Sequence, residues 1–161
     1  MRDKQFVAVH RGGSLTKEQH RQLIRWAREC SEHLLSLMEL NIDERLIYAL
    51  SVAKDWEKGN VTTGKAIKAS LGAIAAANES SNPVMTAVAR SIGHAVATAH
   101  MSDHSMGAAL YALIALKLAG KPIDKERKWQ NDKLPSELKV LVITAMTMKM
   151  KGFKILRSEN I

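Results

Sequence analysis

The sequence predicts an all-α protein: a single-domain helical bundle of about five to seven helices with an alanine-rich centre over residues 61–119. Aromatic residues make up only 4% of the 161 residues, while Ala, Leu, Met, Lys and Glu are plentiful, and this balance favours helix over sheet. Apolar residues recur at intervals of three and four along most of the chain, which is the period of an amphipathic helix. The length fits one domain over residues 1–161 and suffices for a hydrophobic core.

Residues 1–14 precede the first predicted helix. They are expected to form an extended arm that ends in a turn-prone Arg-Gly-Gly-Ser segment. The first helix then begins with a capping box, in which the Thr16 side chain accepts from a first-turn amide and Gln19 reaches back. Its apolar residues follow at helical spacing: Leu23, Trp26, Ala27, Cys30, Leu34, Leu37 and Met38. This pattern indicates a helix with one buried face.

The second and third helices are predicted from similar signals. Asn41 and Glu44 repeat the capping pattern and open a helix that runs to about Lys58, after which Gly59 supplies a typical helix end. The third helix covers about residues 62–78. Its many alanines permit close packing of neighbouring helices, and beside them it carries three larger apolar residues: Ile67, Leu71 and Ile74.

The fourth helical stretch starts at Asn82-Pro83, where a capping residue is followed by proline at the first helical position. Helical sequence then continues to Ala119, much longer than the usual three or four turns, so a break or kink is expected. Ser102 and Asp103 are capping residue types near the middle of this stretch. Whether helix 83–119 is continuous or broken near Ser102-Asp103 stays open.

Two more helices are predicted after the Gly120-Lys121-Pro122 stop signal. The first is short and covers residues 124–133, and the second is long and covers residues 135–151. The second helix is expected to direct five residues inward: Leu138, Leu141, Val142, Ala145 and Met148. Residues 152–161 are expected to form a frayed tail.

Composition excludes several classes of protein. No apolar run reaches the roughly 18 residues of a membrane span, and the first residues lack the apolar centre of a signal peptide, so we expect a cytoplasmic protein. The single cysteine, Cys30, excludes an internal disulfide and a four-cysteine zinc site. The net charge of +8 is concentrated in the carboxy-terminal third. Nucleic-acid binding through this basic third is an alternative, although no base-reading motif accompanies it.

Residues 93–111 hold three of the six histidines: His94, His100 and His104. On one straight helix, His100 and His104 share a face at the four-residue spacing by which many helices bind zinc. His94 would lie about 120° around that helix and would be a poor third ligand. A metal-binding protein or metal-dependent enzyme using His100 and His104 therefore remains an alternative.

The other candidates are less specific, and no catalytic residue is assigned. Cys30 lies on an apolar stripe and His33 follows one turn later, but no third group completes a nucleophilic site. We expect His100 and His104 to lie side by side and to face the first helix near Cys30 and His33. Trp129 stands among charged residues, where it could anchor a partner or pack inward. The candidate binding residues are Arg11, Cys30, His33, His94, His100, Asp103, His104 and Trp129.

Three blocks of sequence carry a resemblance to a known family: RGGSLTKEQHRQLIRWARECSEHLL (11–35), WEKG (56–59) and RSIGHAVATAHMSDHSMGAALYAL (90–113). With these blocks the chain resembles a bacterial immunity-protein family, the immunity-protein-5-like helical domain of polymorphic-toxin systems. The segment after Gly120 does not contribute. The matching positions are Arg11, Gly12, Gly13, Leu15, His20, Trp26, Cys30, His33, Leu34, His94, Ala99, His100 and His104.

The resemblance implies a small all-helical binding protein that neutralises a cognate protein toxin by contact and without catalysis. Such a role requires no cofactor. From composition we expect no membrane association, and nucleic acid stays the alternative partner named above. A homo-oligomer is compatible with the sequence, which decides neither the oligomeric state nor the identity of the toxin.

Overall fold

The computed structural model of this chain describes residues 2–157, and within that range the protein forms seven α-helices and no β-strand. They are α1 (Lys17–Leu37), α2 (Glu44–Glu57), α3 (Thr63–Glu79), α4 (Pro83–Ala97), α5 (His104–Leu118), α6 (Asp124–Lys133) and α7 (Ser136–Met150). The predicted all-α bundle of five to seven helices is confirmed.

Helix boundaries follow the local capping chemistry. Both hydrogen bonds of the Thr16–Gln19 capping box are present at the start of α1. The Asn82 side chain accepts from two first-turn amides of α4, and Gly59 has a φ of 79° just after α2. One boundary differs from its prediction. The carboxylate of Asp43, not the amide of Asn41, caps α2, because Asp43 Oδ1 accepts from the Arg45 amide at 2.8 Å.

The amino-terminal segment is not the expected extended arm. It contains two short 3₁₀ turns, Lys4–Phe6 and Val9–Arg11. The segment folds back because Val9 donates to the Leu15 carbonyl and Leu15 donates to the Val7 carbonyl, both at 3.0 Å. Phe6 is buried, and its carbonyl accepts from the Ser102 hydroxyl. At the other end, Lys154–Leu156 forms a third 3₁₀ turn, and the remainder of the expected tail, residues 158–161, lies outside the described range.

The long helical stretch between residues 83 and 119 is broken, so the second of the two alternatives is correct. Helix α4 ends at Ala97 and α5 begins at His104. In the connection, the amides of Thr98, Ala99 and His100 bond to carbonyls three or four residues earlier, which tightens the end of α4.

Helix α4 lies at the centre and packs against α1, α2, α3 and α5. Small side chains make this possible: a Cβ added at Gly93 would lie 3.4 Å from the Ala73 Cβ. The Ser31 and Ser91 hydroxyls are 2.9 Å apart in the same region, and Ser91 donates to the Ala108 carbonyl. The α3 residues that face this centre are Ala66, Ala69, Ser70, Ala73, Ala76 and Ala77.

Four of the five residues predicted to face inward from α7 do so: Leu138 and Val142 are buried, and Leu141 and Ala145 pack partly buried against the core. The prediction is wrong for Met148. Met148 is 62% exposed, whereas Met146 and Met150 are buried. The buried face follows a strict four-residue spacing that starts at Leu138 and Val142, and Met148 falls between these positions.

Candidate functional site

The break between α4 and α5 brings three histidines together. The Nδ1 atoms of His94, in the last turn of α4, and His104, the first residue of α5, lie 3.1 Å apart. The ring of His100, in the connection, is centred 5.3 Å from that of His104. On a straight helix His94 would point about 120° away from His100, but the helix is broken, and the turn redirects the chain so that His104 contacts the His94 ring.

The His94 ring is held by α5. It stacks on Tyr111 with ring centres 5.3 Å apart and an interplanar angle of 16°. The His94 ring also lies close to the backbone of Gly107, where an added Cβ would lie 2.5 Å from His94 Nδ1. Glycine is thus required at this position for the ring to approach the helix so closely.

The three histidines favour their neutral forms. Burial, followed by the neighbouring His104, lowers the pKa of His94 to about 4. Burial is also the main cause of the lowered pKa of His104 and of His100. In the His94–His104 contact one Nδ1 donates and the other accepts. One neutral ring therefore carries its proton on Nδ1 and the other carries its proton on Nε2. His100 Nδ1 is buried without a hydrogen-bond partner.

The metal alternative lacks further ligands at this site. Asp103 is next to His104 in sequence, but its carboxylate bonds to the Arg2 guanidinium at 2.9 Å. Within residues 2–157, no group of three or more His, Cys, Asp and Glu side chains is arranged to hold a metal ion. The histidine cluster therefore offers at most a two-nitrogen contact.

The three histidines border a groove of about 370 Å³ between α3, α4 and the start of α5. The rest of its lining comes mainly from Ile67, Leu71, Ile74, Asn78, Arg90 and Tyr111. His100 also borders the first turns of α1, where His20 contacts the Thr98 carbonyl at 2.6 Å. The helical turns that contain Cys30 and His33 lie about 15 to 20 Å beyond His20 along the axis of α1. The prediction that His100 and His104 face Cys30 and His33 is therefore wrong, although the two rings do lie side by side.

His33, on α1, belongs to a separate cluster that it forms with side chains of α6. Its Nδ1 is 2.7 Å from both carboxylate oxygens of Glu126, and its ring stacks on Trp129 at 3.8 Å with an interplanar angle of 7°. Lys133 Nζ lies 5.5 Å from the centre of the Trp129 ring. Trp129 is half-buried, so the ring is committed largely to contacts inside the protein.

Cys30 is fully buried, and this burial, with a smaller contribution from Glu126, raises the pKa of its thiol. A neutral buried thiol behaves as a small apolar side chain.

Arg11 and Asp103 complete the predicted set. Arg11 is exposed and lines a second and larger cleft of about 690 Å³ near the start of α1. Asp103 immediately precedes α5, yet it makes no capping bond because Arg2 holds its carboxylate.

Sequence reasoning missed Glu126, Gly107 and Tyr111 as members of these clusters. Glu126 stands in a strongly charged segment that reads as solvent-exposed, although Glu126 and Gln130, four residues apart, form the buried face of α6. Gly107 and Tyr111 lie four residues apart on α5, and this spacing gives no indication that the His94 ring lies against them.

The whole histidine region falls within one family match. A family model described as "Imm-5 like putative immunity protein" matches residues 13–137, from just before α1 into α7. The chain belongs to this family. The match includes the groove histidines, the His33–Glu126 pair and the exposed face of α3. No curated protein and no solved structure matches the chain. Among residues 2–157, every helix is too short or too polar to cross a membrane.

Proposed function

We propose that this protein is an immunity protein that binds a cognate protein toxin and neutralises it by contact, without catalysis. Membership of the immunity-protein family supports this function. The observation that carries it in the structure is an apolar stripe on α3, formed by Ile67, Leu71 and Ile74, which faces outward beside the histidine groove.

The stripe is continuous along one helical face. Its residues are spaced by four and three, and their exposed fractions are 38%, 59% and 50%. Single exposed apolar side chains are common on protein surfaces, but a row of three along the edge of a groove is typical of an interaction site. The core-facing alanines of the same helix are nearly all covered, so α3 presents two apolar faces and the fold buries one of them.

Charge indicates the chemistry of the partner. The groove beside the stripe has no Asp or Glu in its lining, while the Arg90 guanidinium lies over the Tyr111 ring at 5.8 Å. The complementary occupant is a segment of the toxin, of helical or extended form, that combines apolar side chains with carboxylates. Apolar residues would cover the stripe, and a carboxylate would pair with Arg90.

Neutralisation by such a surface requires no reaction. A rigid bundle that covers the active site of a toxin, or holds it in an inactive conformation, acts through affinity alone. The separation of the three histidines from other potential metal ligands agrees with a role in shaping the groove.

The test begins with the reading frames next to the gene for this protein, which are expressed in a bacterial host to identify one that encodes a toxin. Growth of a bacterial host that expresses the toxin is measured with the wild-type chain and with Leu71→Asp plus Ile74→Asp, and complex formation is measured by light scattering of the purified pair. We expect the wild type to restore growth and to form a stoichiometric complex. The double variant should lose both, because two buried carboxylates would face the apolar side of the partner.

Val140→Asp is the matched control, since Val140 is 79% exposed on α7 and lies outside the family match. It should protect as well as the wild type. Equal protection by the α3 double variant, with its fold confirmed by circular dichroism, would contradict the proposed surface. Dissociation of a homo-oligomer by that variant, without any effect on toxin binding, would mean that the stripe joins two copies of this chain.

The basic carboxy-terminal third has local partners for some of its charge. Lys128 pairs with Asp132 at 2.8 Å, and Arg127 donates to the Thr147 hydroxyl. These contacts neutralise or occupy part of the charge that a nucleic-acid backbone would contact.

A further inference from the structure

The second cleft, of about 690 Å³, lies where four parts of the chain meet. These are the amino-terminal 3₁₀ turns, the first turns of α1, the connection between α2 and α3, and the turn between α4 and α5. Its floor includes the buried side chains of Phe6 and Leu15, and the half-buried Trp56 forms part of its wall. Its volume is in the range of small-molecule sites.

The charged groups that line the cleft are all basic. No Asp or Glu contributes to the lining, although the chain contains 16 acidic residues. The lining cations are Arg2, Arg11, Lys17 and Arg21, and the lining histidines are His10, His20 and His100. This concentration of one sign of charge around a concavity attracts anions.

Most of these cations lack a partner in the described structure. Arg2 bonds to Asp103, but within residues 2–157 neither Arg11, Lys17 nor Arg21 forms an ion pair. The next arginines along α1 behave differently. Both Arg25 and Arg28 bond to the Glu57 carboxylate. The Lys and Arg residues of α1 that lie outside the cleft therefore have an acidic partner, whereas within the described range those that line the cleft do not.

Two helix starts add to the positive potential. Helix α1 begins at Lys17 and α3 begins at Thr63, and both residues line the cleft together with their caps, Thr16 and Thr62. The first-turn amides of a helix have no intrahelical acceptor, and the aligned peptide dipoles favour negative charge there. The dipoles of these two helices, of 21 and 17 residues, therefore add to the positive potential that the cations create at the cleft.

We propose that this cleft binds a small phosphate-bearing anion of mononucleotide size. The phosphate group would lie against the unpaired cations Arg11, Lys17 and Arg21, where charge-assisted hydrogen bonds are available. An attached planar group would lie against Trp56, whose ring is fixed because its Nε1 donates to the Thr63 hydroxyl at 3.1 Å and His20 packs 4.8 Å from it. The ligand and its test do not involve the toxin, and the cleft lies apart from the α3 stripe, with His100 as the residue that borders both the cleft and the groove.

Calorimetric titration of the full chain at low ionic strength provides the test. The probes are adenosine 5′-monophosphate, inorganic phosphate and adenosine. We expect adenosine monophosphate to bind with a stoichiometry of one, more tightly than inorganic phosphate, and adenosine to bind weakly or not at all. Raising the salt concentration should weaken the binding, since ionic contacts at an open cleft are screened.

The variant is Arg11→Gln with Lys17→Gln, which removes two exposed cations that have no partner. Its affinity for adenosine monophosphate should fall at least about tenfold, because charge-assisted contacts are lost. The matched control is Lys121→Gln with Lys125→Gln, which makes the same change in net charge at two exposed positions outside the cleft. This control should bind like the wild type, and Arg21→Gln alone provides a second variant should the first fail to fold.

Three results would overturn the proposal. One is the absence of binding by adenosine monophosphate at millimolar concentration. Another is an equal loss of affinity in the Lys121 and Lys125 control, which would indicate only a general effect of charge. The third is a preference for a different class of ligand. It would be shown by inorganic phosphate binding as tightly as adenosine monophosphate, or by a single-stranded decanucleotide displacing the nucleotide at a lower concentration.

Discussion

His33 and His94 are both half-buried histidines on core helices, yet the protein provides them with opposite partners. His33 contacts the carboxylate of Glu126, which is 4% exposed, and stacks on Trp129. His94 contacts a second imidazole, that of His104, and stacks on Tyr111. The first pair joins a base to an acid, whereas the second joins two bases that cannot both be charged at this distance.

The difference teaches how each cluster depends on its surroundings. The His33–Glu126 pair buries a carboxyl group that relies on one imidazole. The His94–His104 pair relies on both rings being neutral and on the narrow space above Gly107. Removal of a partner should therefore affect the first cluster most, and a change of pH or of packing should affect the second.

The largest effect is expected from His33→Ala. It leaves the Glu126 carboxyl buried without its imidazole, and we expect the free energy of unfolding to fall by about 3 kcal/mol in urea titrations. The combined change His33→Leu with Glu126→Met removes the unpaired group and should recover part of this loss. A loss no larger than that of the exposed-site control His10→Ala would show that the pair contributes little.

Acid should act on the other cluster. Burial lowers the pKa of His94 in the folded protein to about 4, below the ordinary imidazole value of 6.5, so the neutral ring stabilises the fold above pH 6.5. As the pH falls from 6.5 to 4, the His94 imidazole becomes protonated in the unfolded chain but stays neutral in the folded one. The free energy of unfolding therefore falls by about 2 to 3 kcal/mol.

Urea titrations at several pH values measure this slope. His94→Gln should make the slope shallower without abolishing it, because burial also lowers the pKa of His100 and His104, while His10→Gln, at an exposed histidine, should leave it unchanged. Constant stability of the wild type between pH 6.5 and 4 would contradict the neutral pair.

Gly107→Ala should perturb the same cluster through packing. A Cβ at this position would lie 2.5 to 2.8 Å from three atoms of the His94 ring, so the ring must move away from His104. We expect a loss of about 2 kcal/mol in thermal or urea unfolding. Gly64→Ala is the matched control, because its nearest contact is the Thr62 hydroxyl at 3.8 Å, and alanine there should leave stability equal or slightly higher.

Asp103→Asn should have the smallest effect on stability. It breaks the half-exposed ion pair with Arg2, which contributes less than about 1 kcal/mol. The Asp103 charge raises the pKa of His104 against the effect of burial, so its removal should lower that pKa further. An NMR titration of the histidine ring protons measures the shift, with Asp132→Asn as a control at an exposed carboxylate. An unchanged or higher pKa of His104 would contradict this electrostatic role.

Much of the fold could be predicted because its signals are local. Thr16 and Gln19 lie within one turn, as do Asn82 and Pro83, and each sets a helix start through contacts that do not depend on the rest of the chain. The break near Ser102 was also signalled locally, although the capping residue types alone did not decide between a break and a continuous helix.

The sites could be predicted only in part, because their geometry depends on how helices meet. The rings of His100 and His104 lie side by side as predicted, although the continuous helix on which that prediction was based is broken between them. The His94–His104 contact depends on the direction the chain takes after Thr98, and the His33–Glu126 pair joins residues 93 positions apart. Residue periodicity carries no information about such distant contacts.

The packing of α3 against α4 through alanine, serine and glycine has a consequence for how the protein can change over generations. An added Cβ at Gly93 would already lie in van der Waals contact with Ala73, so a side chain larger than alanine at either position would crowd the opposite helix and the inner face can vary little. Ile67, Leu71 and Ile74 lie on the same helix but touch solvent, and they can be exchanged without moving the backbone. A single helix thus combines an inner face that can vary little with an outer face whose side chains can be exchanged.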